Sequence, residues 1–146
     1  ILRRQRKDLR DAMAASVIDP LKATLSVDDE QLARELATMD PLLFERHVMS
    51  FFQSAGMMAW VTKASNDFGI DGFARHQKGI IVVQCKRYES NAVGPDTVRE
   101  FKGALEDHPD CILGYIVTTS RFTNGARDTA DKNEKIRLVD LTDLGT

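Results

Sequence analysis

From residue 40 onward the chain alternates between two hydrophobic periodicities. Asp40-Pro41 reads as a helix N-cap followed by proline at the first helical position, where a missing N–H costs nothing. A helix over 42–55 follows, stopped by Gly56. Short apolar runs at 57–62, 69–75 and 80–88 predict three strands, the second and third joined through His76-Gln77-Lys78-Gly79. Val98, Phe101 and Leu105 at helical spacing predict a helix over 95–107, with Asp96 placed in its first turn to suit the dipole. A strand at 111–118, a polar helix at 123–132 and a strand at 136–139 complete the pattern. Helix, three strands, helix, strand, helix, strand predicts an α/β sandwich, a central mixed β-sheet flanked by helices.

The segment ahead of residue 40 follows a different rule. Arg3, Arg4, Arg6, Lys7 and Arg10 stand against a single acid, Asp8, and lead into a helix-compatible stretch at 9–18. Asp19-Pro20 interrupts it, and Ser26 then caps a short helix reaching about Thr38. Residues 1–39 therefore read as a basic N-terminal helical extension or linker, and 40–146 as the domain proper. The basic segment has two readings, a solvated chain end or a juxtamembrane stretch on the cytoplasmic side of an upstream membrane helix. A first residue of Ile1 rather than Met leads to the expectation of a fragment of a longer chain.

Composition narrows the class. The 146 residues are 42% hydrophobic and 29% charged, as expected of one globular domain, with no secretory signal and no apolar stretch of bilayer length. A net charge of -2 excludes binding of polyanions by bulk charge and leaves room for a local basic groove. Cys85 and Cys111 sit in apolar runs without CxxC spacing or nearby histidine ligands, which argues against zinc and disulfides and for a reducing, cytoplasmic setting.

Candidate chemistry gathers on one strand. In Gly79-Ile80-Ile81-Val82-Val83-Gln84-Cys85-Lys86, period-2 alternation puts Ile80, Val82, Gln84 and Lys86 on the same face, so an amide and an ammonium end an apolar row. Burying both without partners costs several kcal/mol. Asp71, between glycines in Gly69-Ile70-Asp71-Gly72, taken alone reads first as a turn aspartate bonding its own backbone; the polar pair on the next strand moves the balance, because a hairpin return brings Asp71 beside Gln84. Glu45 falls in line with Val48, Met49 and Phe52 on the 42–55 helix, either an edge residue reaching solvent or an acid held for a ligand. Carboxylates, an amide oxygen and a backbone carbonyl form the hard-oxygen set suited to Mg²⁺.

Taken together, Phe44-Glu45, Asn66-Asp67-Phe68-Gly69-Ile70-Asp71-Gly72, Gln84-Cys85-Lys86-Arg87-Tyr88, Val93-Gly94 and Val117-Thr118-Thr119-Ser120-Arg121-Phe122 resemble the catalytic domain of Mrr-type (type IV) restriction endonucleases, in the PD-(D/E)xK nuclease superfamily. The resemblance spans roughly residues 40–144 and implies a restriction-endonuclease-like fold and a metal-dependent endonuclease using Mg²⁺ or Mn²⁺. It implies Asp71 as central metal ligand, Gln84 in the second acidic position, Lys86 as the catalytic lysine, Glu45 as the helix-borne acid and Asp67 as a further acidic position. The Cys85 carbonyl completes the ligand set. An amide at position 84 departs from the superfamily's usual Asp or Glu, so Glu45 carries more of the charge needed to hold an ion.

DNA is the expected partner, with Arg87, Thr118, Ser120 and Arg121 as candidate phosphate contacts and Thr119, Arg99, Lys102 and Arg127 nearby; ordinary solvated polarity is the competing reading. Cutting both strands implies a homodimer or transient pairing. An upstream membrane helix or DNA-recognition domain is a further expected partner, and tethering to the inner face of a membrane goes with the first. Two other functions use the same residues: a junction-resolving or repair nuclease, and a non-cleaving nuclease-fold module that binds DNA.

Overall fold

The structure, a computed structural model, describes residue 11, residues 29–62 and residues 69–140. The predicted Ser26 cap, nearly all of the basic segment and Asp67 lie outside these residues. Among the described residues these helices and strands follow one another: α1 (Asp29–Thr38), α2 (Pro41–Ser54), β1 (Met58–Val61), β2 (Gly72–His76), β3 (Gly79–Lys86), α3 (Pro95–Glu106), β4 (Cys111–Thr118), α4 (Asn124–Asp131) and β5 (Ile136–Asp140). Asp40 caps α2 as its sequence predicts, its carboxylate accepting from the backbone N–H groups of Leu42 at 3.0 Å and Leu43 at 3.3 Å. Thr123 does the same for α4.

The sheet runs in the order β1-β2-β3-β4-β5. β1, β2 and β3 form an antiparallel meander, while β3-β4 and β4-β5 pair in parallel, each connection crossing through a helix. β3 is the central strand: Ile81, Val82 and Val83 are all fully buried, so its apolar run is continuous because both faces are covered. On one face α2 packs Phe44, Val48, Met49 and Phe52 against Ala74, Ile81, Val83 and Leu113. On the other, α3 and α4 pack Val98, Phe101 and Ala126 against Val82, Ile116 and Ile136. Leu36 of α1, upstream of the predicted domain start at Asp40, belongs to the first of these cores.

β2 begins three residues later than its apolar run predicts. Asp71 still donates its N–H to the Val83 carbonyl at 2.8 Å, but its own carbonyl turns to the Thr62 N–H at 2.9 Å, and ladder pairing with β3 starts only at Gly72. β3 likewise stops at Lys86, short of the predicted Tyr88. Both departures occur at one end of the sheet, where β2, β3 and β4 release their polar side chains. Among the described residues, no helix is long and apolar enough to cross a membrane.

Candidate active site

Close approach of a helix to a strand brings the two acids together. Gly72 has no side chain, and a Cβ there would collide with Met49 of α2. Glu45 lies one helical turn before Met49, and Asp71 directly precedes Gly72, so seating Met49 on Gly72 presents Glu45 to Asp71. The two carboxyls stand close enough for the charge of Asp71 to act on Glu45. Asp71 is fixed from the other side, its Oδ2 accepting the Cys85 N–H at 2.7 Å. Here a side-chain carboxylate does what a backbone carbonyl does elsewhere in a ladder, which is why strand pairing ends and site geometry begins at this residue.

Gln84 is only 3% exposed, and its Oε1 has no hydrogen-bond partner among the described residues. Gly69 makes room for it: with φ at 87° it adopts a conformation other residues avoid, and a Cβ there would stand 2.6 Å from Gln84 Nε2. Lys86, half-buried two residues on, is near enough for its charge to act on Asp71. Thr62 anchors the approach to the site, its hydroxyl donating to the Ile70 carbonyl at 2.7 Å. Sequence reasoning passed over Thr62, because a threonine bonding a backbone carbonyl leaves no residue-pair signal.

Electrostatics follow from this crowding. Glu45 is pushed up to about 7, first by burial, then by repulsion from Asp71, with Asp40 adding to it. Burial also raises Asp71, against the opposing pull of the Cys85 N–H and the charge of Lys86. The Cys85 thiol is held well above its ordinary range by burial and by both carboxyls, so it stays protonated. Both carboxyls therefore keep a proton to higher pH than a free carboxyl does, Glu45 to about 7. Among the described residues no three His, Cys, Asp or Glu side chains gather as a metal site. The donors present are instead two carboxyls, an unpartnered buried amide oxygen and a backbone carbonyl. That set of hard oxygens fits a divalent cation such as Mg²⁺, whose remaining positions are usually filled by water and phosphate.

The predicted DNA contacts fare differently. Arg87 is turned inward, its Nη1 donating to the Ala37 carbonyl at the end of α1 at 2.7 Å. Thr118 and Ser120 are buried and spend their hydroxyl protons on the Lys86 and Asn91 carbonyls, so neither is offered to a phosphate. Arg121 is exposed and ties one nitrogen to the Ser90 carbonyl at 2.9 Å. His76 accepts a turn N–H from Lys78 and His108 stacks edge-on against Phe73, both structural uses.

Comparison with known proteins agrees with this architecture. The structure of AspBHI, a DNA modification-dependent restriction endonuclease, superposes with a TM-score of 0.62 at 20% identity, covering 80% of this chain and 34% of that one. A protein of unknown function, AF1548, gives a TM-score of 0.58 at 16% identity, covering 68% of this chain and 57% of that one. These two likenesses speak to fold. In sequence, the type IV methyl-directed restriction enzyme EcoKMrr of Escherichia coli strain K12 is 34% identical over 137 residues. That alignment takes in 92% of this chain, which spans only 41% of the relative's length. Residues 36–146 match the Mrr catalytic-domain family, described as restriction endonuclease. The chain thus belongs to the Mrr-type restriction endonucleases, with their α/β nuclease fold.

Proposed function

We propose that this chain is a Mg²⁺-dependent endodeoxyribonuclease domain, with Mn²⁺ as a substitute ion, that hydrolyses DNA phosphodiester bonds. The observation that carries the proposal is the placing of Glu45, through Met49 seated on Gly72, beside Asp71 fixed by the Cys85 N–H, at the strand end that also bears Lys86 and the unpartnered Gln84 oxygen. Glu45, Asp71, Gln84 Oε1 and the Cys85 carbonyl would hold the ion. A bound divalent cation supplies Lewis-acid polarisation of a phosphate oxygen and lowers the pKa of its water.

The chain's own groups do the rest. Asp71 is kept still by the Cys85 N–H, so its free oxygen is presented without rearrangement. Glu45 releases its proton to solvent to become a second anionic donor. Lys86, on the strand face of Gln84, orients the attacking water and offers positive charge where the phosphate gains negative charge. The methyl-directed type IV activity in the name of the E. coli relative supports a restriction-type defence role against foreign or modified DNA, in the cytoplasm. Cutting both strands requires a second site, which we assign to another copy of the chain, and we assign the reading of modified DNA to a separate recognition domain.

Plasmid cleavage in Mg²⁺ tests the proposal: the parent chain nicks or linearises DNA, while Asp71→Ala and Lys86→Ala do not. Equal activity in all three would sink it. The amide at position 84 favours one other reading, a module that binds DNA without cutting. Salt-dependent DNA binding by the parent with no Mg²⁺-dependent product would select that reading.

A further inference from the structure

The geometry points to Thr118, Thr119 and Ser120 as positioning residues that hold the Lys86 end of β3 in register for catalysis. The inference rests on the nuclease reading and extends it to groups outside the acidic site. Parallel pairing of β3 with β4 ends at the rung Lys86↔Thr118. Past that rung, side chains take over from the backbone ladder. Thr118 Oγ1 donates to the Lys86 carbonyl at 2.7 Å and accepts the Ser120 N–H at 3.1 Å. The Thr119 N–H adds a long 3.4 Å contact to the same carbonyl. Thr119 Oγ1 donates to the Tyr88 carbonyl at 2.8 Å and accepts the Tyr88 N–H at 3.1 Å, a complete two-way rung made by one hydroxyl. Ser120 Oγ donates to the Asn91 carbonyl at 2.6 Å.

These hydroxyls face inward: Thr118, Thr119 and Ser120 are 0%, 4% and 6% exposed. They grip the edge of β3 opposite the one held by Asp71, whose carboxylate bonds the Cys85 N–H at 2.7 Å. The backbone from Cys85 to Tyr88 is therefore fixed from both sides, with Lys86 between the two grips. An unpaired strand end frays, and the ammonium of a long flexible side chain is placed no better than the Cα that carries it. Loosening the hydroxyl clasp moves Lys86 relative to Asp71, a displacement that costs rate while leaving the DNA-facing surface unchanged.

The test compares Thr119→Val, which deletes the hydroxyl at nearly constant volume, with Thr119→Ser, which keeps it. Plasmid cleavage in Mg²⁺, DNA affinity against salt concentration, and hydrogen exchange at the Tyr88 amide of the metal-free protein are measured for both. Thr119→Val should lower kcat by about 10- to 100-fold with KM within about twofold. Its Tyr88 amide should exchange faster than in the parent, the salt slope of binding should be unchanged, and Thr119→Ser should recover most of the lost rate. Unchanged cleavage by Thr119→Val overturns the inference and leaves the nuclease reading standing. A shallower salt slope with a raised KM overturns it in favour of a phosphate contact, and failure of Thr119→Ser to recover activity overturns it in favour of methyl packing. If Thr119→Val does not fold, Thr118→Val against Thr118→Ser decides by the same readouts. A parent chain that cuts nothing removes the nuclease reading, and the inference falls with it.

Discussion

The two sides of the β3 end differ in how completely their polar groups are bonded. Toward β4, the hydroxyls of Thr118, Thr119 and Ser120 meet backbone partners in the segment that leaves β3. Toward β2 and α2, Glu45 and Asp71 crowd two acidic groups together, and Gln84 Oε1 has no partner among the described residues. Completed bonds hold a fold in place, whereas buried groups left incomplete cost free energy at rest and are relieved by a ligand. Residue types alone do not separate the two sides in this way, since a run of threonine and serine beside arginines looks ready for phosphate. Their hydroxyls are already bonded to backbone groups, which supports the proposal that chemistry belongs to the acidic side.

The contrast can be broken most forcefully by rate. Asp71→Asn or Lys86→Ala should lower Mg²⁺-dependent plasmid cleavage by about a thousandfold with the fold retained, the scale on which a group acting on transition-state charge is missed. A loss on the scale of Thr119→Val in those variants would erase the distinction between the two sides.

Stability without metal should separate the sides in the reverse order. Thr118→Val strips the Lys86 carbonyl and the Ser120 N–H of a buried partner and should cost about 1–3 kcal/mol in urea unfolding. Gln84→Met, which removes an oxygen that bonds to none of the described residues, should change stability by less than about 1 kcal/mol. Equal costs would contradict the contrast.

The acidic pair also carries a pH signature. Glu45 has its pKa raised from an ordinary 4.5 to about 7, so the folded state binds its proton more tightly than the unfolded chain does. The stabilisation this provides is complete below about pH 4.5 and is lost as pH rises through about 7. Metal-free Glu45→Gln should therefore be more stable than the parent at pH 8 by about 1 kcal/mol, solvent screening at a partly exposed carboxyl having reduced the full value, with the advantage vanishing toward pH 4.5. Thermal unfolding at the two pH values checks both sign and window. The smallest effect belongs to exposed Arg121. Its replacement by alanine should alter stability by no more than about 0.5 kcal/mol and, if it meets a phosphate, flatten the salt slope of DNA binding by about one.

Most of the architecture was legible because each element carries a local signature. The Asp40-Pro41 cap, the apolar run of β3 and the helical spacing of Val98, Phe101 and Leu105 each state their own secondary structure. The polar pair Gln84 and Lys86 on an apolar row pointed to the site for the same reason. What the residues did not disclose depends on partners that are distant or of no particular type. Thr119 bonds the backbone of Tyr88, 31 positions away, and Arg87 bonds the Ala37 carbonyl, 50 positions away; any residue supplies those backbone groups. The late start of β2 is hidden similarly, because nothing in Gly69-Ile70-Asp71 tells that a carboxylate will replace a carbonyl in the ladder.

The claim that the acidic side holds the ion while the hydroxyl side only holds the strand is tested most directly by Mn²⁺ binding to the DNA-free chain, read from the electron paramagnetic resonance of the free ion. Binding by the parent and by Thr119→Val alike, with loss of binding in Asp71→Asn, is the predicted result. Undiminished binding by Asp71→Asn would contradict the account.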